Sequence, residues 1–250
     1  MRIDWWGHAS LTVELGGLRV LTDPVLTAHV AHLARVDHRP PPSDAARADV
    51  VIVSHLHADH LHVPSLRRLG PDVRLVAPRG AAALLRRPLP ELSVDEVGPG
   101  EVLDLGGVTL SVVPARHDGR RLPGSRHVGP ALGYVLAAEG RRVWFAGDTG
   151  LFDGMRDIGP VDIALVPVGG WGPTLGPEHL DPVQAAEAVR RVGAADAVPI
   201  HYATLWPVGL RSVSPALYAR KCQAPGREFA AALDDGVRAH VLRPGQGIEL

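Results

Sequence analysis

The sequence predicts an α/β fold. Three observations carry this: apolar runs bounded by Gly and Pro recur along the chain, several are continuous as in strands buried on both faces, and helical stretches alternate with them in the second half. With 250 residues and 46% hydrophobic content, a sizeable core is affordable. Neither an internal repeat nor an interdomain linker interrupts it, so residues 1–250 read as a single domain.

In chain order, "ASLTVEL" and "LRVLTD" read as two strands joined at Gly16–Gly17. Residues 37–47, "DHRPPPSDAAR", are a polar, Pro-rich loop. "ADVVIVSH" is a continuous apolar run, the mark of a fully buried strand. "VPSLRRLG" and "RGAAALLRR" are short helix candidates on either side of the strand "DVRLVAP". The strands "VTLSVVPA", "ALGYVLAA", "RRVWFAGD", "VDIALVPV" and "ADAVPIH" follow. The clearest helix is "DPVQAAEAVRRVG": Asp181 suits the N-cap, Pro182 the first turn, Arg190 and Arg191 the last, and Gly193 the stop. Ser214–Pro215 and "PGREFAAALDDG" start two further helices.

Composition excludes several classes of function. Net charge is −1, with no basic arm, which argues against nucleic acid as a partner. Cys222 is the one cysteine, so an intrachain disulfide and a cysteine zinc site are both ruled out. The start, "MRIDWWGHAS", lacks a signal pattern, and no apolar run reaches the ~18 residues of a membrane span. The expectation is a soluble cytoplasmic protein without stable membrane insertion; self-association into a homo-oligomer stays open.

The chemistry concentrates in "VSHLHADHLH". His55 and His57 are two apart and point the same way in an extended loop, and Asp59 and His60 curl toward a neighbouring point. Imidazole with carboxylate suits zinc, iron or manganese. Four such ligands would saturate one tetrahedral ion, so the pattern points to two. Further ligands stand just past the ends of three other strands: His117 after "VVPAR", Asp148 in "FAGD", and His201 after "AVPI". In open α/β sheets, ligands gather at such strand ends.

These motifs, with "GHASLTVELGGLRVLTDPV", "PARH", "FAGDTGLF", "VDIALVPVGG", "EHLDPVQAAEA" and "PIHYAT", resemble the metallo-β-lactamase superfamily. More narrowly, they are similar to the branch holding N-acyl-phosphatidylethanolamine phospholipase D and the L-ascorbate-6-phosphate lactonases. The resemblance implies an αββα sandwich with two mixed sheets and a dinuclear metal site on its edge. It implies His55, His57 and His117 on one ion, Asp59, His60 and His201 on the other, and Asp148 between them. Zn²⁺ is the first choice of metal, with Mn²⁺ or Fe as alternatives.

The expected activity is hydrolysis of a phosphodiester or an ester/lactone in a small anionic substrate by a hydroxide shared between two metal ions. Asp59 would orient that nucleophile, and His179 in "EHLDP" would supply the proton for the leaving group. Arg116 and Arg121, from the basic loop after the strand, and Trp171 and Tyr202 are candidate substrate contacts. A lipid phosphodiester is the alternative substrate. A redox di-iron protein is a weaker one, because related oxidoreductases carry Glu where this chain has His57, and a flavin domain besides. His8 and Asp23 read either as partners that orient a ligand or as ordinary buried or turn residues. His62 is expected on the surface at a helix start, and His29, His32, His38 and His240 in solvent.

Overall fold

In the computed structural model, which describes residues 1–70, 72–170 and 176–250, the apolar runs pair into two seven-stranded sheets and one small sheet of three strands. Strands are numbered in chain order. The first sheet runs β17 (Gln246–Glu249), β1 (Arg2–Gly7), β2 (Ser10–Leu15), β3 (Leu18–Thr22), β6 (Val50–Ile52), β7 (Arg74–Pro78), β8 (Val94–Val97). The second runs β16 (Arg238–Ala239), β14 (Asp196–Ile200), β13 (Ile163–Pro167), β12 (Arg141–Phe145), β11 (Leu132–Ala138), β10 (Thr109–Pro114), β9 (Val102–Asp104). The small sheet joins β4 (His29–Val30), β5 (Leu33–Arg35) and β15 (Leu205–Pro207). Both large sheets are mixed: β3, β6, β7 and β8 run parallel, as do β12, β13, β14 and β16, while the other neighbours are antiparallel.

Alternation along the central strands decides the layers. Val50, Ile52 and Val76 face inward and join Trp5, Leu11, Tyr134, Leu136 and Phe145 in the core between the sheets. Their neighbours Val51, Val53, Leu75 and Ala77 face outward and pack under Leu66, Ala81 and Leu85, from α1 (Val63–Leu66) and α2 (Ala81–Leu85). On the far side lies α3 (Pro182–Val192), whose buried stripe Ala185, Ala188, Val189 and Val192 belongs to the core of the second sheet. Short helices α4 (Leu210–Val213) and α5 (Pro215–Tyr218) lead to α6 (Pro225–Ala232), which packs against α3. The order of layers is helix, sheet, sheet, helix, as expected. Among the described residues, no helix is long and apolar enough to cross a membrane.

The α3 ends follow the sequence signals. Asp181 and Gln184 form a reciprocal capping box, and Gly193 closes the helix in the left-handed region at φ 65°. Two histidine expectations change. His62 is buried, with Nδ1 2.7 Å from Ser65 Oγ at the N-cap of α1; packing under the loop outweighs its polarity. His240 is half-buried, its Nε2 2.6 Å from the buried carboxylate of Asp196, which Arg238 also contacts.

Candidate metal centre

The site lies where four strands end. The loop after β6 carries His55, His57, Asp59 and His60; the segments after β10, β12 and β14 carry His117, Asp148 and His201. Close approach of the two sheets makes this convergence. Leu132 N donates to Ser54 O at 2.9 Å, and Tyr134 Oη donates to Val53 O at 2.7 Å. Gly147 sits at φ 61°, and a Cβ there would stand 2.6 Å from Ser54 Cβ. Only glycine lets Asp148 come this near the histidine loop.

The side chains form two adjoining clusters. In one, His55 Nε2 and His57 Nδ1 are 2.8 Å apart, and His57 Nδ1 and His117 Nε2 are 3.2 Å apart. In the other, Asp148 Oδ2 lies 3.1 Å from His201 Nε2 and 3.4 Å from His60 Nε2, while Asp59 Oδ2 lies 3.8 Å from His60 Nε2. His8 joins this second group, with Nε2 3.3 Å from Asp59 Oδ2.

Remote nitrogens are anchored. His117 Nδ1 donates to Glu178 O at 3.0 Å and His201 Nδ1 to Gly169 O at 3.1 Å. His60 Nδ1 is 2.6 Å from Asp23 Oδ2, and Asp23 itself accepts from Ser54 N at 2.7 Å and Ser54 Oγ at 2.5 Å. With an ion in place, each bond would hold the tautomer whose inward nitrogen offers it a lone pair. Asp23 is thus a partner of a site histidine, and not merely a turn residue.

The inner atoms test whether a cation fits. His8 Nε2, His60 Nε2, His201 Nε2 and Asp148 Oδ1 are buried without a hydrogen-bond partner. Orphaned buried polar atoms cost free energy, and four aimed at one place are explained by an ion between them. The donors are imidazole nitrogen and carboxylate oxygen, which suit a divalent transition metal.

Electrostatics sort the same groups. Burial opposes charge on His60 and His201, but Asp148 and its fellow carboxylates outweigh it and raise both. Burial likewise opposes charge on Asp148 and Asp59; the histidines around them win and hold both well below the usual carboxylate range. Desolvation dominates elsewhere and pushes His57 and His8 to about 4, with His55 well below its ordinary value.

A cavity of about 430 Å³ opens over the clusters. His57, Asp59, Asp148, His179 and His201 form its floor, and Val30, Ala31, Leu33, Ala58, Leu122 and Pro123 its largely apolar walls. His179 is half-buried, with Nε2 3.8 Å from Asp148 Oδ2. Arg121 lines the cavity, but its Nη1 donates to Leu56 O at 2.8 Å and Leu61 O at 2.7 Å, so it also ties down the histidine loop. Two expected substrate contacts lie elsewhere. Arg116 does not line the cavity; it is exposed and donates to Leu151 O at 3.2 Å. Tyr202 is buried against Trp5, ring centroids 5.4 Å apart, because its large apolar ring pays best in the core. Trp171 lies outside the described residues. The cavity wall from β4 and β5 escaped the sequence reading, since residues 29–35 show no clear alternation.

A family model described as a β-lactamase superfamily domain matches residues 18–202. The chain belongs to the metallo-β-lactamase superfamily. A metal-dependent hydrolase of Thermococcus onnurineus is 31% identical, with both chains covered in full. The N-acyl-phosphatidylethanolamine-hydrolyzing phospholipase D 1 of Caenorhabditis elegans is 29% identical over 82% of this chain and 64% of its own. Among solved structures, the metallo hydrolase Igni18 of Ignicoccus hospitalis superposes with a TM-score of 0.73 at 22% identity, covering 99% of this chain and 97% of its own, which speaks for the fold. As a member of this superfamily, the protein is a metal-dependent hydrolase.

Proposed function

We propose that the protein hydrolyses a phosphodiester or an ester/lactone in a small-molecule substrate, using two divalent ions held by the clusters. The carrying observation is the convergence of an all-imidazole cluster and an imidazole–carboxylate cluster beneath one cavity, whose floor His57, Asp59, Asp148 and His201 reach. His55, His57 and His117 would hold one ion and Asp59, His60 and His201 the other, with Asp148 shared; Zn²⁺ is the first candidate, Mn²⁺ or Fe the next. Such ions lower the pKa of water and stabilise charge developing on the substrate oxygen.

The remaining work falls to the chain's own groups. Asp59, mostly buried and held as a carboxylate by the surrounding histidines, orients the attacking water. His179 manages the proton. Burial lowers its pKa, so the ring is neutral at pH 7; it first accepts the proton that water gives up and then passes it to the leaving oxygen. Val30, Leu33, Leu122 and Pro123 receive an apolar part of the substrate, and Arg121 is the cation nearest to an anionic one.

Asp148→Asn should cut kcat/KM by at least about 10²–10³-fold, the scale lost when one stabiliser of charge is removed, with the fold unchanged by circular dichroism. Assays of the Zn²⁺- or Mn²⁺-loaded enzyme on phosphodiesters, lactones and carboxylic esters would decide, and retained turnover in the variant would sink the mechanism. A lipid phosphodiester is the second reading, favoured by the apolar walls. Activity that climbs with acyl chain length selects it; activity that peaks at short chains selects the small substrate.

A further inference from the structure

His8 lies beside the centre and is 4% exposed. Its ring centroid is 4.2 Å from that of His201 and 4.9 Å from that of His60. Nε2 lies 3.3 Å from Asp59 Oδ2, an ion-pair contact, and is buried without a well-formed hydrogen bond to any other group. Its one polar neighbour is itself a candidate ligand, and His8, Asp59, His60 and His201 bring their ligand atoms together around one point. Two N/O ligands that share an ion, each about 2.0–2.2 Å from it, stand roughly 3.0–3.5 Å from one another. The His8–Asp59 separation of 3.3 Å fits that edge as well as His201–Asp148 at 3.1 Å and His60–Asp148 at 3.4 Å.

The backbone supports the same reading. His8 (φ 55°) and His201 (φ 63°) both occupy the left-handed region, which residues other than glycine enter at a cost. They are joined directly: His201 N donates to His8 O at 2.9 Å. Trp5 Nε1 donates to the same carbonyl at 2.9 Å, and His8 N donates to Thr204 Oγ1 at 2.7 Å. The β1–β2 register shifts between Trp5 and Gly7, just ahead of His8. Such strain persists where surrounding contacts over-determine it, and it clusters at functional sites.

We propose that His8 is a direct ligand, through Nε2, of the ion held by Asp59, His60 and His201. This rests on reading the clusters as a metal centre. With Asp148, that ion then has five protein ligands, whereas the other has His55, His57, His117 and the shared Asp148. The crowded position suits a divalent ion that accepts five or six N/O ligands, such as Mn²⁺, Fe²⁺ or Co²⁺, better than four-coordinate Zn²⁺.

The test is a Co²⁺ titration of the metal-stripped full chain, followed by metal content and visible absorption, in wild type, His8→Ala and His8→Asn. Asparagine tolerates the left-handed backbone and is too short to replace the imidazole. Wild type should bind two ions per chain. Both variants should keep the first ion, hold the second about 10–100-fold more weakly, and show a stronger ligand-field band for it as its coordination number falls. An unchanged band overturns the proposal, even with weaker binding, because that is the signature of a histidine acting only through Asp59. If neither variant folds, a crystal structure of Co²⁺-loaded wild type decides: His8 Nε2 at about 2.0–2.3 Å from the ion is expected, and a separation beyond about 3 Å overturns it. Wild type that takes up no Co²⁺ overturns the metal-centre reading itself, and the His8 proposal with it.

Discussion

Imidazoles a few ångströms apart have been driven in opposite directions. His60 and His201 sit among carboxylates and hold protons above the ordinary range, while buried His8 and His62 and half-buried His57 have weaker compensation and are pushed to about 4. This has a consequence for the metal-free protein. Between about pH 6.5 and 4 the unfolded chain protonates His8, His57 and His62, and the folded chain resists. The stability those residues confer is present above pH 6.5 and is lost as pH falls through that window. His60 and His201 do not offset the loss, since their contribution is already complete below the unfolded value. The melting temperature of chelator-treated protein should therefore fall steadily from pH 6.5 to 4; a flat profile would contradict the assignment. The clustered histidines were legible because spacing and strand ends announce them. His8 and Asp23 were not resolved by sequence, because a lone polar residue near a strand carries no periodic signal and acquires meaning only from what folding brings beside it.

The short elements around the centre act by tying loops down. Arg121 reads in sequence as one more cation in a basic loop. In the fold, its Nη1 spans two carbonyls, Leu56 O and Leu61 O, that bracket His57, Asp59 and His60. Arg121→Ala removes both bonds and should cost about 1–3 kcal/mol, given that Leu56 and Leu61 are buried. Loss of metal to a competing chelator should also quicken, measured as the dissociation rate against wild type; an unchanged rate would leave Arg121 to the substrate alone. The strand and helix series was largely readable, down to the capping of α3. The β4–β5 wall was not, because strands of two and three residues are too short to show a period.

At the scale of the molecule, each sheet brings half a centre. The first sheet contributes the loop after β6, and the second contributes His117, Asp148 and His201. An ion held by both groups would crosslink the halves, so binding should stabilise the whole fold and not one loop. Loading to about 100 times Kd should add roughly 2.7 kcal/mol, read as a single cooperative transition moving to higher temperature. Two separate transitions, one of them indifferent to metal, would show that the sheets unfold independently of the centre.

Arg35 gives the cavity a further property. Its guanidinium is buried and donates to Trp6 O at 2.8 Å, Val25 O at 2.6 Å and Thr27 O at 3.1 Å. Gly7, at φ 101°, leaves the room it needs. One planar fork thus rivets the segment leading into β4 and the end of β1 to the end of the wall strand β5, a task for which the point charge of lysine has the wrong shape. On that side the pocket is a fixed template. A substrate reaching that wall would meet a shape set in advance and be selected by fit.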